Sequence, residues 1–222
     1  MNDLRVAAEI AKLEAETRLI LAQAVKEEQE AVIRGIKRLE EEQEQFLSLA
    51  GMFTHSFKGE FDEDTVGECL DVIDMWHKLD ENSDWKIVLN SPGGYVDHGN
   101  HLLDELSAHS IRGGGSHHLT IIVRGWAASM AGILLQVADE RVMGPRAQLL
   151  VHPVQSWASG ALGSIQDHVE HLEMLTEQVS SLFLERAGKK LPKKRLEEAL
   201  LRKDWWISSS DALKWGLCDR IG

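Results

Sequence analysis

Gly125-Trp126-Ala127-Ala128-Ser129-Met130-Ala131-Gly132 is the stretch on which the reading of this chain turns. It follows Leu119-Thr120-Ile121-Ile122-Val123, an apolar, β-branched run with the composition of a buried strand. The small residues then lead into a helical pattern that continues to Val137. Ser129 therefore falls at a strand-to-helix turn, near the positive end of a helix. Small neighbours let a substrate backbone come close, and the N–H of Met130 is placed to face a developing oxyanion. Taken alone, the stretch reads first as a tight junction in which Ser129 caps the helix.

Working outward, strands and helices alternate. Residues 52–57 form a short strand candidate, followed by a turn at Gly59. The spacing of Val66, Leu70 and Ile73 predicts a helix over 64–79. Residues 85–89 read as a buried strand running into Asn90-Ser91-Pro92-Gly93-Gly94, a sharp turn. A helix is expected over 96–109, strands over 140–143 and 149–151, and a long amphipathic helix over 161–186. A short helix and a terminal strand close the chain between 208 and 222. This alternation argues for an α/β domain with parallel strands over 51–222. Gly113-Gly114-Gly115 reads as a flexible loop, since it lacks the Lys-Ser/Thr end of a phosphate-binding loop.

Residues 1–50 differ from the rest. They contain no proline and one glycine, Gly35, with 11 acidic and 7 basic residues. Val6, Ile10, Leu13, Thr17, Ile20 and Ala24 keep the alternating four-three rhythm of a heptad, and Val32, Ile36, Leu39, Gln43, Phe46 and Ala50 repeat it in a shifted phase. One long helix or a helical hairpin near Gly35 satisfies the pattern. Its acidic polar face favours an assembly arm over a membrane-surface helix.

Three further pieces join Ser129. The Gly93-Gly94 turn leaves backbone N–H groups approachable, so the N–H of Gly94 pairs with that of Met130 as a candidate oxyanion hole. His152 follows Leu149-Leu150-Val151 at a strand end, where an imidazole of near-neutral pKa suits a general base. Asp204 lies in Arg202-Lys203-Asp204-Trp205-Trp206, where two indoles could shield a carboxylate that orients the imidazole. Each piece alone has an ordinary structural explanation.

In combination and in this order, Gly-Trp-Ala-Ala-Ser-Met, Asn-Ser-Pro-Gly-Gly, Leu-Val-His-Pro and Arg-Lys-Asp-Trp-Trp-Ile-Ser resemble the Clp protease proteolytic subunit (ClpP) family. The ending Asp211-Ala212-Leu213-Lys214-Trp215-Gly216-Leu217-Cys218-Asp219 is similar to that family's C-terminal motif. The resemblance spans residues 52–222. It implies a ClpP/crotonase-like spiral of strand-strand-helix units with a long handle helix, preceded by the helical arm. It also implies a serine endopeptidase: Ser129 as nucleophile, His152 as general base, Asp204 as orienting carboxylate, and Gly94 and Met130 as oxyanion hole. Ile165, Val169, Leu172, Val179 and Phe183 line one stripe of the long helix, with Leu175 and Leu182 off it. That is more apolar surface than one contact uses, and it resembles the handle that joins two heptameric rings into a closed chamber. The resemblance further implies polypeptide substrates and an ATPase unfoldase partner, because this sequence carries no Walker motif.

This sequence departs from the family at Trp126, at Ala131-Gly132, which reverses the usual order, and at Pro153 directly after His152. Phage-type ClpP-like proteases that trim capsid or scaffold proteins, and a catalytically silent assembly protein, remain as alternative roles. Crotonase-type acyl-CoA enzymes need no full triad. A Ser–Lys peptidase needs a lysine where His152 stands.

The 36 acidic and 24 basic residues give a net charge of −12, which disfavours nucleic-acid binding. No apolar run is long enough for a transmembrane helix, and Cys69 and Cys218 form no CxxC pair, so a cytoplasmic protein is expected. His168 and His171 stand three apart without a third ligand at suitable spacing. They, His117-His118 and the His98/His101 pair read as surface histidines, and neither metal nor cofactor is expected.

Overall fold

The computed structural model of the chain describes residues 2–202 and 204–222, and for parts of the first helix only its backbone path. The chain divides into two units, residues 1–52 and 53–222. The first is one uninterrupted helix, α1 (Asn2–Met52), so the continuous arrangement forms and the hairpin near Gly35 does not. The side chains of Val6, Ile10, Ile20, Gln43, Phe46 and Ala50 lie outside the described residues. Leu13, Val32, Ile36 and Leu39, on the expected seam, are each more than half exposed. Lys12–Glu16, Lys26–Glu30 and Arg34–Glu30 pair one helical turn apart, the spacing at which exposed ion pairs support a helix by a few tenths of a kcal/mol, about 0.2–0.5 each.

The second unit is the expected α/β class. Its sheet runs in the order β1 (Thr54–Phe61), β2 (Trp85–Gly94), β3 (Leu119–Ala128), β4 (Glu140–Met143), β7 (Arg220–Ile221), all parallel. β5 (Gln148–Val151) pairs in parallel with the far end of β3, and β6 (Trp205–Ser208) adds to β5 antiparallel. Helices α2 (Glu63–Leu79), α3 (Val96–His109), α4 (Met130–Leu135), α5 (Leu162–Ala187), α6 (Lys193–Arg202) and α7 (Ser209–Lys214) connect these strands.

Local chemistry accounts for the elements. Asp62 Oδ1 accepts the Thr65 N–H at 2.8 Å and caps α2, with Glu63 and Asp64 in the first turn and His77 and Lys78 in the last. Val66, Cys69, Ile73 and Trp76 recur every three or four residues and are buried. Trp85, Ile87 and Leu89 alternate inward along β2 and pack with Phe57, Ile121 and Val123 in one core. Arg141, 4% exposed, donates to both Asp219 oxygens and to Gln136 Oε1, which pins the segment after α7 to β4.

Three strand ends differ from the sequence expectation for one reason. β2 and β3 do not stop before their glycines but run through them, to Gly94 and Ala128. The register shifts between Leu89 and Ser91 in β2, and between Lys58 and Glu60 in β1, so the expected turn at Gly59 is a bulge within a strand. Gly and Pro that read as turns in sequence here bend paired strands. α6 and β6 had no sequence expectation at all.

Candidate active site

The elbow forms as the sequence indicates, and it is strained. Ser129 has φ 56° and ψ −122°, the single positive φ outside glycine among the described residues. A non-glycine residue held there costs on the order of 1–3 kcal/mol, a cost the surrounding structure has to hold in place. Ser129 stands at the N-cap position of α4, yet its side chain makes no capping hydrogen bond. The capping explanation for this serine therefore falls, and its hydroxyl is left for other use.

Neighbouring strands hold the elbow. The Ser129 N–H donates to Leu150 O of β5 at 3.0 Å, and Gly132 N donates back to Ser129 O at 2.9 Å. The β2 end presses against it. Gly93 has φ 99°, and a Cβ there would stand 2.6 Å from Ser129 Cβ and 2.8 Å from Ala128 O. Gly132 allows the same closeness on the other side, where a Cβ would meet Leu149 Cδ1 at 2.8 Å. Glycine is therefore required at 93 by both conformation and space.

Gly94, Ser129, Met130 and His152 line one cleft of about 230 Å³, with Phe183 of α5 among its walls. A second groove of about 460 Å³ shares Gly94, Val96, Val154 and Gln155 with it and runs on along α5 past His168 and Leu172. Met130 opens α4, so its N–H has no intrahelical acceptor. His152 follows β5 directly, and its Nδ1 lies 2.7 Å from Pro153 O. Only an N–H pairs with a carbonyl oxygen, so Nδ1 carries the proton and Nε2 is the bare base. That is the tautomer a serine-activating histidine uses.

Asp204 stands apart from the cleft. Val151 pairs with Trp205 in the antiparallel β5–β6 ladder, so one step further along the ladder sets His152 opposite Asp204. The carboxylate is nevertheless exposed, and no hydrogen bond joins it to His152 or His152 to Ser129. The two indoles do not shield it. Arg195 lies over the Trp205 ring at 4.7 Å, and Trp206 stacks on Trp126 at 5.9 Å, on the two opposite faces of β6. Lys203 of the same motif lies outside the described residues.

The other nucleophiles are quiet. Cys69 and Cys218 are free and buried, and burial pushes their thiols up to about 12 and about 11. Four of the histidines expected at the surface are not on it. His98, His118 and His168 are half-buried, His168 with a partnerless Nε2, and His117 is fully buried.

This strained serine elbow, with a histidine of the right tautomer in the same cleft, can be set beside known proteins. The Clp protease family model matches residues 40–222. The chain belongs to the Clp protease family. Its mixed α/β architecture with a parallel sheet is that family's fold. The ATP-dependent Clp protease proteolytic subunit of Chlorella vulgaris is 24% identical over 164 residues, covering 73% of this chain and 77% of that one. Proteolytic subunit 1 of Chlamydia trachomatis serovar D is 28% identical over 138 residues, 60% of this chain and 67% of its own. Proteolytic subunit 3 of Rhizobium etli is 27% identical over 156 residues, 69% and 74% respectively. As a Clp protease family member the chain is a ClpP-like peptidase. Among the described residues, no helix is long and apolar enough to cross a membrane.

Proposed function

We propose that the protein is a serine endopeptidase that cuts unfolded or small polypeptides inside an oligomeric chamber in the cytoplasm. The observation that carries this reading is Ser129, held at φ 56° without a capping bond, in the cleft that His152 also lines. Ser129 Oγ attacks the peptide carbonyl as His152 Nε2 takes its proton. The N–H groups of Gly94 and Met130 receive the oxyanion. Its collapse breaks the C–N bond as His152 gives the proton to the leaving amine, and water, activated by the same imidazole, then hydrolyses the acyl-enzyme. Asp204 completes the triad when the His152 ring leaves Pro153 O and turns toward it. A neutral carbonyl fixes the tautomer as well as a carboxylate does, but only a carboxylate stabilises the imidazolium that forms.

The chamber is supported by α5. Leu162, Val169 and Met174 are 72%, 48% and 49% exposed, an apolar surface suited to a second ring. Stacked heptameric rings and an ATPase unfoldase partner belong to the same proposal. The relatives' names carry ATP dependence. The free, buried cysteines accord with a reducing compartment.

One observation favours a second reading. His152 bonded to Pro153 O and an exposed Asp204 are also what a catalytically silent assembly protein would have. Labelling with a fluorophosphonate probe and peptide mass mapping separates the two. The expected result is one modified residue, Ser129, with labelling lost in Ser129→Ala and His152→Ala. Peptide turnover should fall about 10⁴-fold or more in Ser129→Ala. No labelling of the assembled wild type would overturn the peptidase reading in favour of the silent one.

A further inference from the structure

We propose that His77, His109 and His117 form a binding site for a divalent transition-metal ion, Zn²⁺ foremost, that staples α2, α3 and the entry of β3 together. One ring nitrogen from each of the three lies within 4.8 Å of the others. His77 Nδ1 and His117 Nε2 are 2.8 Å apart, a hydrogen bond in which the His77 N–H donates, so a bound ion takes the place of that proton, which leaves Nδ1 for His77 Nε2 or solvent. A zinc ion about 2.0–2.1 Å from each nitrogen sets nitrogen–nitrogen separations of roughly 3.3–3.4 Å. That value lies between the shortest separation and the limit, so small ring rotations bring all three to it.

The site has the outer supports that a metal ligand needs. His117 Nδ1 lies 2.8 Å from Ser83 O and donates to it, which fixes the proton there and aims the bare Nε2 into the cluster. Trp85 stacks on the His117 ring at 3.8 Å, and its Nε1 donates to Ser83 Oγ at 3.2 Å. The backbone N–H of His117 donates to His109 O at 3.0 Å, so two of the ligands are tied together through the main chain. His117 is wholly buried, while His77 and His109 are half-buried, which leaves the fourth tetrahedral position to water.

The surroundings favour a cation. His77 lies in the last turn of α2 and His109 ends α3, so two helix carboxyl ends bring their negative poles to one point. Three imidazoles suit zinc, copper or nickel and give little to magnesium or calcium.

Its place in the sheet argues for a structural role. Trp85 and Leu119 begin β2 and β3, whereas Gly94 and Ala128 end them beside Ser129. Ten residues of strand at about 3.3 Å each separate the cluster from the cleft by roughly 30 Å. The ion would hold the loop containing Gly113-Gly114-Gly115 to the two helix ends, without touching the peptidase chemistry.

The test uses full-length, untagged protein stripped with a chelator. Calorimetric titration with Zn²⁺ should give one equivalent per chain, and Zn²⁺ should raise the wild-type Tm by about 5 °C or more at saturation. His77→Gln and His109→Gln should each weaken binding at least tenfold, and the double variant should abolish both binding and the Tm rise. His117 is left intact because its loss would open the core. Co²⁺ on the wild type gives an independent readout, with the intense visible bands of tetrahedral coordination expected. Weak octahedral bands, no stoichiometric Zn²⁺ binding, or an equivalent still bound by the double variant would each overturn the proposal.

Discussion

The two ends of β2 and β3 are built from opposite materials. At the carboxyl ends stand Gly93, Gly94 and Ser129, with positive φ at all three and an open cleft above them. At the amino ends stand Trp85, Leu119 and His117, wholly or almost wholly buried, with rings stacked and every ring nitrogen of His117 paired. Strain and small residues leave backbone donors exposed where chemistry is done. Packing and satisfied polar groups hold the strands in register where it is not. The same ten residues of β2 carry both duties, which is how a strained elbow survives in a stable domain.

That contrast predicts turnover losses at one end and stability losses at the other. After loss of the nucleophile itself, the largest expected effect is Asp204→Asn, which should lower kcat about 10⁴-fold with the fold unchanged. Steady-state peptidase kinetics on the assembled protein would check it. A loss under tenfold would mean that the Pro153 carbonyl is the sole orienting partner of His152. Gly93→Ala comes next. A methyl at φ 99° cannot avoid Ser129 Cβ and Ala128 O, so the elbow must shift. A displacement of about 1 Å at a reacting group costs on the order of 10²-fold. Circular dichroism should still report a folded α/β domain, and a variant of full activity would show that Ser129 does not depend on this contact.

At the amino ends, Leu119→Ala is the matching experiment. Leu119 is fully buried at the start of β3, so truncation should cost about 2–5 kcal/mol in chemical denaturation. Turnover per folded molecule should stay within about twofold. A fall in kcat of tenfold or more would break the separation between the two ends.

How much of this was legible beforehand follows from which interactions are local. The helix over 96–109 and the strand over 140–143 were placed to the residue, because their apolar periodicity is a property of contiguous sequence. Ser129, His152, Gly94 and Met130 came from short motifs, and the fold gathers them in one cleft. Asp204 needed more than its motif. What brings it opposite His152 is the β5–β6 ladder, an antiparallel pairing between segments more than 50 residues apart with no local signal. The continuation of β2 and β3 through their glycines was hidden, since bulge and turn use the same residues. The histidine trio was invisible for the same reason: His77, His109 and His117 share no helix face or motif, and only the meeting of two helix ends with a strand entry assembles them.

The smallest expected effect concerns pH, and it belongs to the amino ends of the strands. His55 sits half-buried near the start of β1, where burial lowers its pKa below the ordinary 6.5 despite the opposing pull of Glu68. The unfolded chain then binds this proton more readily than the folded one, so acid favours unfolding. The contribution of a neutral His55 is complete above about 6.5 and is lost as pH falls through the lower folded value. The wild-type Tm should therefore drop more between pH 7 and pH 5 than that of His55→Gln, by a few degrees at most. Equal drops in the two proteins would transfer the acid sensitivity to other groups. A larger drop in the variant would reverse the sign of the argument, because it would mean that the imidazolium at position 55 stabilises the fold.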